Sequence, residues 1–161
     1  MPAVPSIRVI YASTSGSTEY VVETLATALR AHGHGDITVQ RVEKAVPEDL
    51  LKGDILVLAS GSWNTGGVEG QLNPYMHVFL KDKAKAIDLH GRAVVLIGLG
   101  DARYRYTARS LDHLRHFVLT HDGRELGALK IVNEPYGQEE FIEEFALRLS
   151  EKIKLHFSSI A

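Results

Sequence analysis

The sequence predicts an α/β protein, a three-layer sandwich in which helices cover both faces of a five-stranded, parallel sheet. Three observations lead there. "IRVIYAS", "DILVLAS" and "RAVVLIG" are short, nearly continuous apolar runs, the pattern of strands covered on both faces and therefore usually parallel. Strand-like runs alternate along the chain with segments whose apolar residues recur at helical spacing. Each loop of unusual composition follows a strand directly, and in open sheets of this kind ligands bind beyond the carboxyl ends of the strands.

Taken in order, "IRVIYAS" is the first strand, and Val21, Val22, Leu25, Ala28 and Leu29 then line a helix that "HGHGD" breaks with two glycines. "ITVQRV" alternates like an edge strand, and "VPEDLLKGD" leads into the central run Ile55–Ala59. Asn73-Pro74 reads as an N-cap with proline at the first helical position, opening a helix through Met76, Phe79 and Leu80. The fourth strand, Ala93–Gly98, follows "LHGR". Ala108, Leu111, Leu114 and Val118 mark a helix ended by "HDG", "ALKIVN" is the fifth strand, and Ile142, Phe145, Ala146, Leu149 and Ile153 line a final helix. No repeat or low-complexity linker interrupts this alternation, and right-handed crossovers leave few ways to wind it.

The chain has 161 residues, 45% of them hydrophobic, which suits one domain over residues 1–161 with a real core. A formal net charge of -2 gives neither a nucleic-acid footprint nor a polybasic membrane tether. The absence of cysteine excludes disulfides, thiolate metal ligands and thiol chemistry. "MPAVPSIRVIYAS" shows no secretory signal pattern, and "AVVLIGLG" falls far short of the roughly 18 residues of a membrane span, so a soluble cytoplasmic protein is expected.

The loop Ser13–Thr18, "STSGST", contains only hydroxyl side chains and one glycine, and it lies between the first strand and the first helix. Backbone N–H groups and the positive end of the helix dipole should face its occupant, which describes an anion site. Gly16 permits close approach or positive φ, while Ser13, Thr14, Ser15, Ser17 and Thr18 offer hydroxyls. Without lysine the loop is no Walker A motif, and without GxGxxG it is no dinucleotide fingerprint, so a single phosphate fits better. The plain alternative is a polar turn with a serine N-cap.

"SGSWNTGGVEGQ", Ser60 to Gln71, sets the only tryptophan in a glycine-rich loop after the central strand. "GLGDARYRYTAR", Gly98 to Arg109, sets Tyr104 and Tyr106 among glycines and arginines after the fourth strand. Either aromatic group alone could be packing. An anion loop flanked by two aromatic loops at one sheet edge, however, describes a clamp for a flat, phosphorylated aromatic ligand.

In these three loops, and over essentially its whole length, the chain resembles the flavodoxins, small electron carriers that bind FMN. "STSGST" is similar to the family's phosphate loop, which implies that Ser13, Thr14, Ser15, Gly16, Ser17 and Thr18 hold the phosphate. "SWN" resembles the tryptophan loop, which implies contacts from Ser60, Gly61, Ser62, Trp63, Asn64, Thr65 and Gly66, with Trp63 on one face of the isoalloxazine ring. Asn64 takes the position whose peptide carbonyl turns toward the flavin on reduction. "GDARYRY" resembles the third family loop, which implies Tyr104 on the other face, with Gly100, Asp101 and Tyr106 beside the ring. The resemblance implies sheet order 2-1-3-4-5, and the uninterrupted fifth strand implies a short-chain member. It further implies a monomeric, low-potential one-electron carrier with no catalytic residue, serving a reductase donor and an acceptor enzyme. Its departures are the glycine-rich "NTGGVEG", which includes Glu69, Val22 where the family helix commonly has alanine, and the basic residues Arg103, Arg105 and Arg109.

A signalling receiver domain shares the winding but needs acidic residues where Ser13 and Ser60 stand. An FMN-dependent NAD(P)H or quinone reductase is the enzyme alternative, and a pure interaction module predicts a colourless protein. His113 and His116 share a helix face, but no third ligand has suitable spacing, so no metal site is expected. Glu139, Glu140, Glu143 and Glu144 read as the wet side of the last helix.

Overall fold

Strands that are apolar on both faces need a covering layer on each, and the fold supplies two. The structure, a computed structural model, describes residues 4–63, 71–102 and 108–158. Along the chain run β1 (Ile7–Ala12), α1 (Ser17–Ala31), β2 (Ile37–Arg41), β3 (Ile55–Trp63), β4 (Gln71–Leu72), α2 (Pro74–Val78), β5 (Ala93–Gly100), α3 (Ser110–Thr120), β6 (Arg124–Val132) and α4 (Glu139–Ser158). Five strands form a parallel sheet in the order β2-β1-β3-β5-β6, the winding expected from the resemblance. β4 adds two residues antiparallel to the end of β3, pairing Ser62 with Leu72 and Trp63 with Gln71.

The strand period of two sorts the core. Ile7, Val9 and Tyr11 of β1, Val57 of β3 and Val95 and Ile97 of β5 face α1 and α4, where they meet Val21, Leu25, Ile142 and Phe145. The alternate residues Ile10, Leu56, Leu58, Val94 and Leu96 face the other way, against Met76, Phe79, Leu114 and Phe117. Ile55 to Ser60 are buried throughout, which explains why the central run is continuous rather than alternating.

Local structure departs from the sequence reading where backbone detail decides. Between β2 and β3 the crossover is two 3₁₀ turns, Val42–Lys44 and Pro47–Leu51, rather than an α-helix. The stretch is short and Pro47 opens its second turn; the Asp49 carboxylate accepts from the Val46 N–H at 2.9 Å. Asp49 is held below the usual carboxylate range by its bond to Lys52 and by this backbone donor. The Asn73 cap forms as expected, its Oδ1 accepting from the Tyr75 N–H at 3.0 Å, but α2 ends at Val78 and continues as a π turn over Phe79–Lys83.

β3 continues to Trp63, and β6 starts at Arg124, four residues before the apolar run that predicts it. Ala108 is not helical: it precedes α3 with φ 54. Its backbone packs closely against Gly100, where an added Cβ would lie 2.0 Å from the Ala108 nitrogen. Glu140, Glu143 and Glu144 are exposed as expected, whereas Glu139 is half-buried and its Oε2 faces inward.

Candidate functional site

The anion loop forms because β1 stops at Ala12 and α1 begins at Ser17, leaving four residues to turn the chain. Gly16 is the N-cap of α1 at φ 97, a left-handed conformation that L side chains rarely adopt. Nothing lies within 4 Å of the position its Cβ would take, so the turn is open at that point. The helix is not capped by the residue beside it. Instead the Ser13 Oγ accepts from the Gly16 N–H at 3.1 Å and from the Glu19 N–H at 3.2 Å, folding the loop around itself. Among the described residues the first-turn N–H groups of Ser17 and Thr18 find no acceptor, as helix starts require unless a side chain or ligand supplies one.

Thr14 and Ser15 are exposed, Ser17 is half-buried and Thr18 is buried. The Ser17 hydroxyl reaches the Glu134 carboxylate at 3.5 Å, a long contact from the loop after β6. Beneath the loop lies Tyr11, whose phenol is pushed up by burial and then by the Glu19 carboxylate.

A buried polar network ties this loop to the next two. Ser60, fully buried at the end of the sheet, accepts on Oγ from the Asn73 N–H at 3.0 Å, and Asn73 Nδ2 donates to the Thr14 hydroxyl at 3.0 Å. On the other side the Ser110 hydroxyl donates to the Ser60 carbonyl at 3.0 Å. Ser62 Oγ accepts from the Ser110 N–H and donates to the Ser110 hydroxyl, each at 3.0 Å. The hydroxyls of Ser60 and Ser62 are therefore committed inside the protein. Asn73 was legible as a cap but not as a link between loops, and Ser110 carried no signal.

Trp63 ends β3 and is 39% exposed, so it is not a core residue. Its indole leans back over Gly61: a Cβ there would lie 3.4 Å from Nε1 and 3.8 Å from the Thr18 Oγ1. Trp63 and the anion loop thus border one another at the carboxyl edge of the sheet. Gly100 ends β5 and Asp101 follows it at the same edge, both half-buried. Asn133 fastens this segment to β6, its N–H donating to the Gly100 carbonyl at 2.7 Å and its Oδ1 accepting from the Ala102 N–H at 2.9 Å. Asn64, Thr65, Gly66, Glu69, Arg103, Tyr104, Arg105 and Tyr106 lie outside the described residues.

Among the described residues the arrangement offers unpaired donors, an open glycine turn and an exposed indole along one edge, which suits a phosphate joined to a flat ring system. Comparison with known proteins agrees. The family model described as Flavodoxin matches residues 9–147. A flavodoxin of Maridesulfovibrio salexigens is 28% identical over 129 residues, covering 79% of this chain and 86% of that one. Among solved structures, oxidised flavodoxin 2 from Bacillus cereus superposes with a TM-score of 0.80 at 28% identity, covering 91% of this chain and 99% of that one. The Fusobacterium nucleatum flavodoxin, bound to flavin mononucleotide, superposes with a TM-score of 0.72 at 19% identity, covering 95% and 99%.

Proposed function

The chain belongs to the flavodoxin family, and from that premise we propose that it binds one FMN non-covalently and carries single electrons at low potential between a reductase donor and an acceptor enzyme. The observation that carries this reading is the loop Ser13–Thr18. Its open glycine turn, its hydroxyls and the N–H groups of Ser17 and Thr18, which find no acceptor among the described residues, fit a phosphate dianion without a lysine.

In this reading Ser13, Thr14, Ser15, Gly16, Ser17 and Thr18 hold the phosphate. Ser60, Gly61 and Ser62 form the floor through their backbone, because the Ser60 and Ser62 hydroxyls are engaged elsewhere. Trp63 covers one face of the ring, and Gly100 and Asp101 border it. Asn64, Thr65, Gly66, Tyr104 and Tyr106 complete the site as the family motifs imply. Bound FMN supplies the redox chemistry; the chain's residues hold it, shield it from water and set how readily it accepts charge. Among the described residues no helix is long and apolar enough to cross a membrane. A cytoplasmic location and a monomeric state go with the reading, and fractionation and sedimentation test them.

The deciding experiment is a visible spectrum of the purified protein during stepwise reduction. A yellow protein that takes up electrons in two separate stages supports the carrier. A colourless protein that binds no added FMN overturns it. Bleaching by NADPH alone in one two-electron step makes it a reductase instead.

A further inference from the structure

We propose that Arg41 is the positioning residue of the anion loop, bracing its first residue, Ser13, against Glu19 just beyond its end in the arrangement that receives the phosphate. The proposal rests on the FMN reading above. Arg41 is the last residue of β2 and pairs in register with Tyr11 of β1, which brings it beside the loop. Its Nη1 donates to the Ser13 carbonyl at 3.0 Å, and its Nη2 donates to the Glu19 carboxylate at 2.6 Å. Ser13 is the residue whose hydroxyl gathers the Gly16 and Glu19 N–H groups. One guanidinium therefore spans the start of the loop and the first turn of α1, and it fixes the backbone that turns its N–H groups outward.

Two further contacts hold the guanidinium itself. Its Cζ lies 5.4 Å from the centroid of the buried Tyr11 ring, and Nη1 lies 3.8 Å from the Glu43 carboxylate. The planar fork matters because a lysine ammonium is one point charge on a flexible stem and does not present the same fixed pair of donors. Charge matters as well. Glu19 is an acidic side chain in the first helical turn, where an arriving dianion meets like charge, and the Arg41 ion pair offsets it. The helix-start donors face the ligand, while Arg41 stands behind the loop and acts through Ser13 and Glu19.

The test compares two ligands in one protein. Apoprotein of the wild type, Arg41→Gln and Arg41→Lys is titrated with FMN and with riboflavin, which shares the ring but lacks the phosphate. Arg41→Gln is expected to weaken FMN by roughly tenfold or more, the scale of one lost hydrogen bond to a charged group, with riboflavin affinity unchanged. Retained riboflavin binding shows that the fold and the ring site are intact. Arg41→Lys is expected to lose FMN affinity as Arg41→Gln does, because it keeps charge without the fork. As a readout free of flavin, inorganic phosphate should raise the melting temperature of wild-type apoprotein more than that of either variant.

An unchanged ratio of FMN to riboflavin affinity in Arg41→Gln overturns the proposal, as does an equal loss of both ligands, which would make Arg41 a residue of the fold alone. Full recovery by Arg41→Lys also overturns it, because charge without positioning would then suffice. A wild type that binds neither flavin fails at the earlier step and takes the FMN reading with it.

Discussion

The side-chain amide of Asn73 donates to the Thr14 hydroxyl at 3.0 Å, joining the start of α2 to the anion loop across 59 residues of chain. The same side chain caps α2 through the Tyr75 N–H, and its own backbone N–H is held by the buried Ser60 hydroxyl. Local helix capping and loop geometry are thus set by one fully buried residue. Asn73→Ala should destabilise the apoprotein by about 0.5–2 kcal/mol, the usual range for losing an N-cap. It should also weaken FMN, because Thr14 loses its tether. Urea unfolding and flavin titration measure the two effects separately, and an unchanged affinity would show that the loop holds its shape without Asn73.

If the loop Ser13–Thr18 receives the phosphate, riboflavin should bind at least a hundredfold more weakly than FMN, since two hydrogen bonds to a charged group are worth roughly 3 kcal/mol or more. Gly16→Ala adds a conformational check. There is room for the methyl group, so its cost of about 1–2 kcal/mol would come from φ 97 alone. Its effect should fall on FMN more than on riboflavin. Equal affinities of the wild type for both flavins would remove the phosphate assignment.

Trp63→Ala should separate binding from folding. Being 39% exposed, Trp63 contributes little to the core, and Trp63→Ala should leave the urea midpoint of the apoprotein nearly in place. The same change should weaken FMN by about 1–3 kcal/mol through lost stacking and burial. The flavin's fluorescence should also rise. A variant with intact affinity and quenching would show that the indole does not touch the ring.

Gly100→Ala should be among the most damaging single changes at this edge. The added Cβ would meet backbone atoms of Ala108 at 2.0 and 2.6 Å, so a main-chain segment must shift rather than a side-chain tip. A loss of about 3 kcal/mol is expected from such overpacking, read as the urea midpoint of the apoprotein. A variant as stable as the wild type would mean that the Gly100–Ala108 approach yields easily.

His34 sets a pH dependence. It is buried, with Nε2 at 2.8 Å from the Ser150 hydroxyl of α4, while Nδ1 has no partner among the described residues. Burial lowers its pKa from the ordinary value, and the positive charge of Lys154 and the neighbouring His32 add to the effect. The unfolded chain therefore takes up this proton at a higher pH than the folded one, and the contribution of neutral His34 to stability is complete above the unfolded value of about 6.5. It is lost as pH falls through 6.5 toward the folded pKa. Urea midpoints at pH 7.5 and 5.5 should differ more in the wild type than in His34→Gln. Parallel slopes in the two proteins would show that other groups carry the pH response.

The sequence by itself determined the layers and the parallel sheet, and it set the hydroxyl-rich turn directly between the first strand and the first helix. Continuous apolar runs, helical spacing and the hydroxyl-rich turn are local properties, and local periodicity directly dictates which faces must be covered. The N-cap at Asn73 was legible for the same reason, whereas Gly16 read only as a position free for close approach or positive φ, and the structure chose the latter. Tertiary structure alone decided what lies far apart along the chain. Nothing near Arg41 in sequence marks the guanidinium as the group behind Ser13, which stands 28 residues earlier, because parallel pairing of β2 with β1 creates that proximity. Ser110 meets Ser60 and Ser62 only because α3 packs beside β3. Ala108 follows the helical spacing of Leu111, Leu114 and Val118, yet it lies outside the helix with φ 54, and its backbone fills the space that Gly100 leaves open. Periodicity reports which face a residue prefers, and it carries no information about which distant backbone will occupy the space beside it.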